Sequence, residues 1–146
     1  LKKFFVVHVK RDVFYTAQSI INSRKSINGN THEWWGPLRI LSRLKNINEY
    51  EKVIFQIKLI DKCIENQIKK LKDKVTYISV DYDDFCTDSD NFIKILIEDY
   101  KVNNKISLVR KKADKLNFIP SKSKKLSDEE WMNLREAYEK LNSKYQ

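Results

Sequence analysis

Between Ile47 and Lys72 the apolar residues Tyr50, Val53, Ile54, Ile57, Ile60, Ile64, Ile68 and Leu71 recur at spacings of mostly three and four. Sustained for about seven turns, that spacing gives one apolar stripe along a long amphipathic helix. The helix leads directly into KVTYISV, a run rich in β-branched residues. Near the start of the chain Phe4 to Val9 forms a similar run, continuous rather than alternating, as in a strand buried on both faces. Strands over 3–10 and 74–80 separated by helices imply a parallel sheet, because a crossover through helices returns the chain in the same direction. The fold class expected is therefore α/β.

The other elements follow from local signals. Asp12 can cap a helix whose inner face is Val13, Ala17, Ile20, Ile21 and Arg24, ending near Ser26, before Asn28 and Gly29. Asp90 opens a shorter helix through Phe92, Ile93, Leu96, Ile97 and Tyr100. Ser127 with Glu130 has the spacing of a capping box ahead of a last helix carrying Trp131, Leu134, Tyr138, Leu141 and Tyr145 on one face. INGNTHEWWGPLR holds both glycines and one of the two prolines, and reads as an ordered loop. No internal repeat is evident, and residues 1–146 are expected to form a single domain. Two parallel strands make a poor sheet alone, so an upstream segment or a partner chain is expected to supply more, in keeping with a chain that starts at Leu1 almost inside a strand.

Composition narrows the class. With 41% hydrophobic residues and no run of about 18 apolar residues, the chain is expected to be globular, soluble and cytoplasmic, with no membrane span. Cys63 and Cys86 lack metal-ligand or disulfide spacing and are expected to be buried thiols. The acidic run DYDDFCTDSD lacks the glycine and final glutamate of a calcium loop, so no metal site is expected. His8 is expected to pack within its strand, and His32 to sit in a loop. The net charge of +9 is concentrated: residues 101–125 hold nine Lys/Arg against Asp114 alone, leaving 20 basic and 19 acidic residues elsewhere. A basic segment on a neutral body favours an anionic ligand, or a solvated charge run.

Arg11 follows the first strand where open α/β sheets bind ligands, and Ser19 lies eight residues on, about two turns into the next helix. By spacing alone the pair suits either a phosphate contact or a capped strand-helix turn. Arg11 and Ser19 in this setting resemble the segment of the sulfotransferase family that holds the 3′-phosphate of 3′-phosphoadenosine 5′-phosphosulfate (PAPS). The WWGP stretch at Trp34 to Pro37 is similar to a Trp-Gly-Pro stretch in some members. VTYISVDYDDF at Val75 to Phe85 resembles the strand and Tyr-Glu-Asp-Leu segment of the family, with Asp83 in place of Glu. LVRKK is similar to a basic segment that also touches the 3′-phosphate, which brings in Arg110 and Lys111, although Lys112 stands where a glycine is usual.

The resemblance implies the C-terminal portion of a three-layer, parallel-sheet, P-loop-like domain whose first phosphate loop is missing, since no GxxxxGK[ST] occurs. It implies a PAPS-dependent transferase moving a sulfuryl group to an acceptor hydroxyl or amine, with Arg11, Ser19, Arg110 and Lys111 as donor-binding residues. The partners expected are the nucleotide donor and an acceptor the sequence does not identify. The catalytic base is expected upstream of the matched region, and no catalytic residue is named. The alternative is a basic module binding nucleic acid or another polyanion without catalysis, by phosphate contacts and aromatic stacking.

Overall fold

The computed structural model describes residues 4–29, 47–72, 74–104 and 118–144. It is a mixed α/β structure, mostly helical, with strands β1 (Phe4–Lys10) and β2 (Val75–Asp81) and helices α1 (Val13–Asn28), α2 (Glu49–Lys70), α3 (Tyr82–Thr87), α4 (Ser89–Asn104) and α5 (Asp128–Lys144). The chain divides into two compact units, one comprising 1–11 and 65–121 and the other 12–64 and 122–146, a boundary that falls within α2.

In the first unit β1 and β2 pair in parallel, in register from Phe4 opposite Val75 to Lys10 opposite Asp81. Burial on both faces of β1 is not observed: Phe4 is 68% and Val9 47% exposed, and Val7 is also exposed. A strand's faces are buried by elements packed over the sheet, and the described residues leave these side chains uncovered. His8 and Tyr77 sit on adjoining strands, and His8 Nδ1 lies 2.9 Å from the Tyr77 hydroxyl. Asp81 ends β2 and its carboxylate accepts from the Asp83 amide at 2.8 Å, which starts α3. At the next junction Asp88 accepts from the Asn91 amide at 3.0 Å, so Asp88, rather than Asp90, starts α4. Carboxylates of the acidic run thus serve as helix caps.

The second unit is a helical assembly. Asp12 accepts from the Phe14 and Tyr15 amides at 2.9 and 3.1 Å, and α1 ends at Gly29, whose φ of +66° suits a residue without a Cβ. Ala17 and Ile21 of α1, Val53 and Ile54 of α2, Leu126, and Leu134, Ala137 and Leu141 of α5 form one apolar core, with Phe14, Trp131 and Tyr138 packed at its margin. Ser127 and Glu130 form the expected capping box: Ser127 Oγ accepts from the Glu130 amide at 3.2 Å, and Glu130 Oε2 from the Ser127 amide at 3.1 Å. Ahead of it, Gln18, 4% exposed, holds the extended segment: its Nε2 donates to the Ser123 carbonyl at 2.9 Å, and its Oε1 accepts from the Lys125 and Leu126 amides at 2.6 and 3.3 Å. Glu51, buried on α2, accepts from Lys140 Nζ of α5 at 2.6 Å.

Of the two cysteines, Cys86 is buried as expected, whereas Cys63 is exposed, because it lies on the outward side of α2. Among the described residues no helix is long and apolar enough to cross a membrane.

Candidate functional site

Parallel, in-register pairing brings the carboxyl ends of β1 and β2 to the same edge of the first unit. One residue past the pair Lys10 and Asp81, the chain places Arg11 after β1 and Tyr82 after β2. The Arg11 guanidinium stacks on the Tyr82 ring, its Cζ 4.7 Å from the ring centroid, and Nη2 donates to the Ser121 carbonyl at 2.9 Å. A half-buried guanidinium held by a ring on one side and a carbonyl on another is fixed in orientation, and its planar fork suits two oxygens of a phosphate or sulfate group.

The support around this cation comes from α3 and α4. A hydrogen bond between the Tyr82 hydroxyl and Cys86 raises the phenol above its ordinary pKa, while Arg11 pulls it the other way. Cys86 lies one helical turn beyond Tyr82, and its burial anchors the turn that presents the ring. Phe85 meets Phe92 of α4 edge-on at 5.5 Å and Phe118 at 5.6 Å, packing α3 against its neighbours.

Ser19 belongs to the second unit. It is exposed on α1 and, with Ile20, Ser23, Arg24 and Gln56, lines a pocket of about 240 Å³. Arg24 is 2% exposed, and its Nη2 donates to Gln56 Oε1 at 3.1 Å. Burial pushes the guanidinium pKa down and the nearby Glu49 carboxylate opposes the shift; an arginine remains charged at neutral pH. Arg110 and Lys111, the WWGP stretch and His32 lie outside the described residues.

Of the four residues expected to hold an anion, the structure therefore describes Arg11 in the first unit and Ser19 in the second. Sequence reasoning did not identify Tyr82 as the partner of Arg11. The signal was present, because strands ending at Lys10 and Asp81 make Arg11 and Tyr82 neighbours once their register is known. Ser23, Arg24 and Gln56 were also missed as lining residues. Here the available signal was an arginine on the otherwise apolar inner face of α1, with serines four residues apart beside it. Compared with protein-family models, with characterised proteins and with solved structures, the chain matches none.

Proposed function

We propose that this chain is the C-terminal portion of a PAPS-dependent sulfotransferase and that Arg11 binds the 3′-phosphate of the donor. The observation that carries the reading is the contact of Arg11 with Tyr82 at the common carboxyl edge of two parallel strands. It joins two stretches that resemble the family independently: the strand-turn-helix containing Arg11, and the Tyr-Asp-Asp-Phe segment at Tyr82 to Phe85. Ser19 enters through its eight-residue spacing from Arg11, and Arg110 and Lys111 through the LVRKK stretch. Such a fold covers its sheet with helices on both faces, and the exposed apolar residues Phe4, Val7 and Val9 on β1 suit such a cover.

The donor supplies the activated sulfuryl group, which passes to an acceptor oxygen or nitrogen and leaves 3′-phosphoadenosine 5′-phosphate. The protein's task in such a transfer is mainly to position the reactants and balance charge. Arg11 would do so at a distance from the reacting sulfur by fixing the 3′-phosphate, the group that separates this nucleotide from ordinary adenine nucleotides. Held by Tyr82 and the Ser121 carbonyl, its guanidinium needs little reorganisation to receive that group.

Calorimetric titration with 3′-phosphoadenosine 5′-phosphate and with adenosine 5′-phosphate tests the reading. The first should bind more tightly. A charge-assisted contact contributes about 1.5–3 kcal/mol, so Arg11→Ala should weaken that binding roughly 10- to 150-fold, and Arg11→Lys, which keeps the charge but not the fork, by less. Equal affinities for the two nucleotides would refute it. Binding of any polyanion with a steep salt dependence and no preference for the 3′-phosphate would favour the nucleic-acid or polyanion module instead.

A further inference from the structure

The pocket lined by Ser19, Ile20, Ser23, Arg24 and Gln56 lies wholly within the second unit. Its polar lining is rich in hydrogen-bond donors: a guanidinium, two hydroxyls four residues apart on α1, and a carboxamide whose Oε1 accepts from Arg24 and whose other end is an amino group. A buried, permanently charged group bordering such a pocket raises the local potential, and the two serines give hydroxyls that can turn toward an acceptor. Glu49 lies close enough to offset part of the charge, which argues for a ligand of modest affinity. At about 240 Å³ the pocket has the volume of about eight waters in the liquid, more than a tetrahedral oxyanion needs, and most of its accessible lining is apolar, which suits the organic part of an ester.

We propose that this pocket binds the phosphate or sulfate group of a small organic ester, with Arg24 supplying charge and Ser19 and Ser23 supplying hydrogen bonds. The inference shares Ser19 with the donor reading but rests on Ser23, Arg24 and Gln56, none of which that reading uses.

Inorganic phosphate is the probe. Added at constant ionic strength to the isotopically labelled chain, it should shift the backbone amide resonances of Ser19, Ile20, Ser23 and Arg24 saturably, and chloride should not. Ser23→Asp places a like charge at the pocket on an exposed helical position that tolerates substitution, and should weaken phosphate binding at least about tenfold. Arg11→Ala should leave these shifts intact. The proposal is overturned if the shifts do not saturate, if they persist unchanged in Ser23→Asp, or if Arg11→Ala abolishes them. Phosphate binding that depends on Ser23 in a chain showing no preference for 3′-phosphoadenosine 5′-phosphate would sustain this inference while removing the donor reading.

Discussion

Replacing Gln18 should unfasten the segment that carries Leu126 into the core of the helical unit. Of its three hydrogen bonds, that to the Ser123 carbonyl is ordinary at 2.9 Å, that from the Lys125 amide is short at 2.6 Å, and that from the Leu126 amide is long at 3.3 Å. At a net 0.5–1.5 kcal/mol for each good bond, with a smaller term for the long one, Gln18→Ala loses about 1–3 kcal/mol. The buried Leu126 amide left without its acceptor, and the volume vacated by the side chain, bring the expected cost to about 2–4 kcal/mol. With a urea dependence of about 1–3 kcal/mol per molar, the unfolding midpoint should fall by roughly 1–2 M. Hydrogen exchange at the Lys125 and Leu126 amides gives the local readout, and both should lose protection. Gln18→Glu is the control, since it keeps the acceptor for both amides but sets a carboxylate oxygen against the Ser123 carbonyl. A cost below about 0.5 kcal/mol for Gln18→Ala, with protection at Leu126 unchanged, would refute the reasoning.

Removing the cap in Asp12→Ala should cost about 1 kcal/mol in urea unfolding and Asp12→Asn much less, because the bonds to the Phe14 and Tyr15 amides need only a side-chain oxygen. The hydrogen bond from Lys25 holds the Glu130 carboxyl below its usual pKa, with the Ser127 amide adding to the effect. This stabilisation is full above the ordinary glutamate value of about 4.3 and is lost as the pH falls through the depressed one, so the gap between wild type and Lys25→Met should close on acidification. A gap independent of pH in acid titrations followed by circular dichroism would contradict this. Lys140→Met leaves Glu51 buried without its ion-pair partner and should cost about 1–3 kcal/mol in thermal or urea melts, less than for a wholly buried pair because Lys140 is exposed. Tyr82 should ionise above the ordinary tyrosine range in ultraviolet titration, and Cys86→Ala should lower its pKa by removing the hydrogen bond.

Local order was legible in the sequence where a single physical signal decided it. Apolar spacing located α2, the carboxylate of Asp12 located the start of α1, and the Ser127–Glu130 pair located the start of α5. Parallel pairing also followed, since intervening helices permit little else. What depended on tertiary packing did not. The continuous apolar run of β1 reads as a two-sided core strand, yet Phe4, Val7 and Val9 are exposed because burial depends on neighbours the run itself does not specify. Helix α3 is only six residues long, too short for periodicity to register, so Tyr82 could not be placed on a helix beside Arg11. Gln18 lies among the inner-face residues of α1 without belonging to an apolar pattern, and its role appears only when the distant segment at Ser123 to Leu126 is brought to it.

The parallel pairing of β1 with β2 also sets the order of events during synthesis. From Phe4 to Val75 the partners are about 70 residues apart, and closing a loop of that length costs roughly 4 kcal/mol in chain entropy before any ladder bond forms. At a ribosomal rate of about 5–20 residues per second, β1 emerges several seconds before its partner exists. During that interval Phe-Phe-Val-Val offers an unpaired backbone and apolar side chains to any other nascent strand. Lys10 and Arg11, immediately after the run, put two positive charges where such off-pathway association would propagate. The same end of β1 that presents Arg11 in the folded chain thus also guards the strand before it folds.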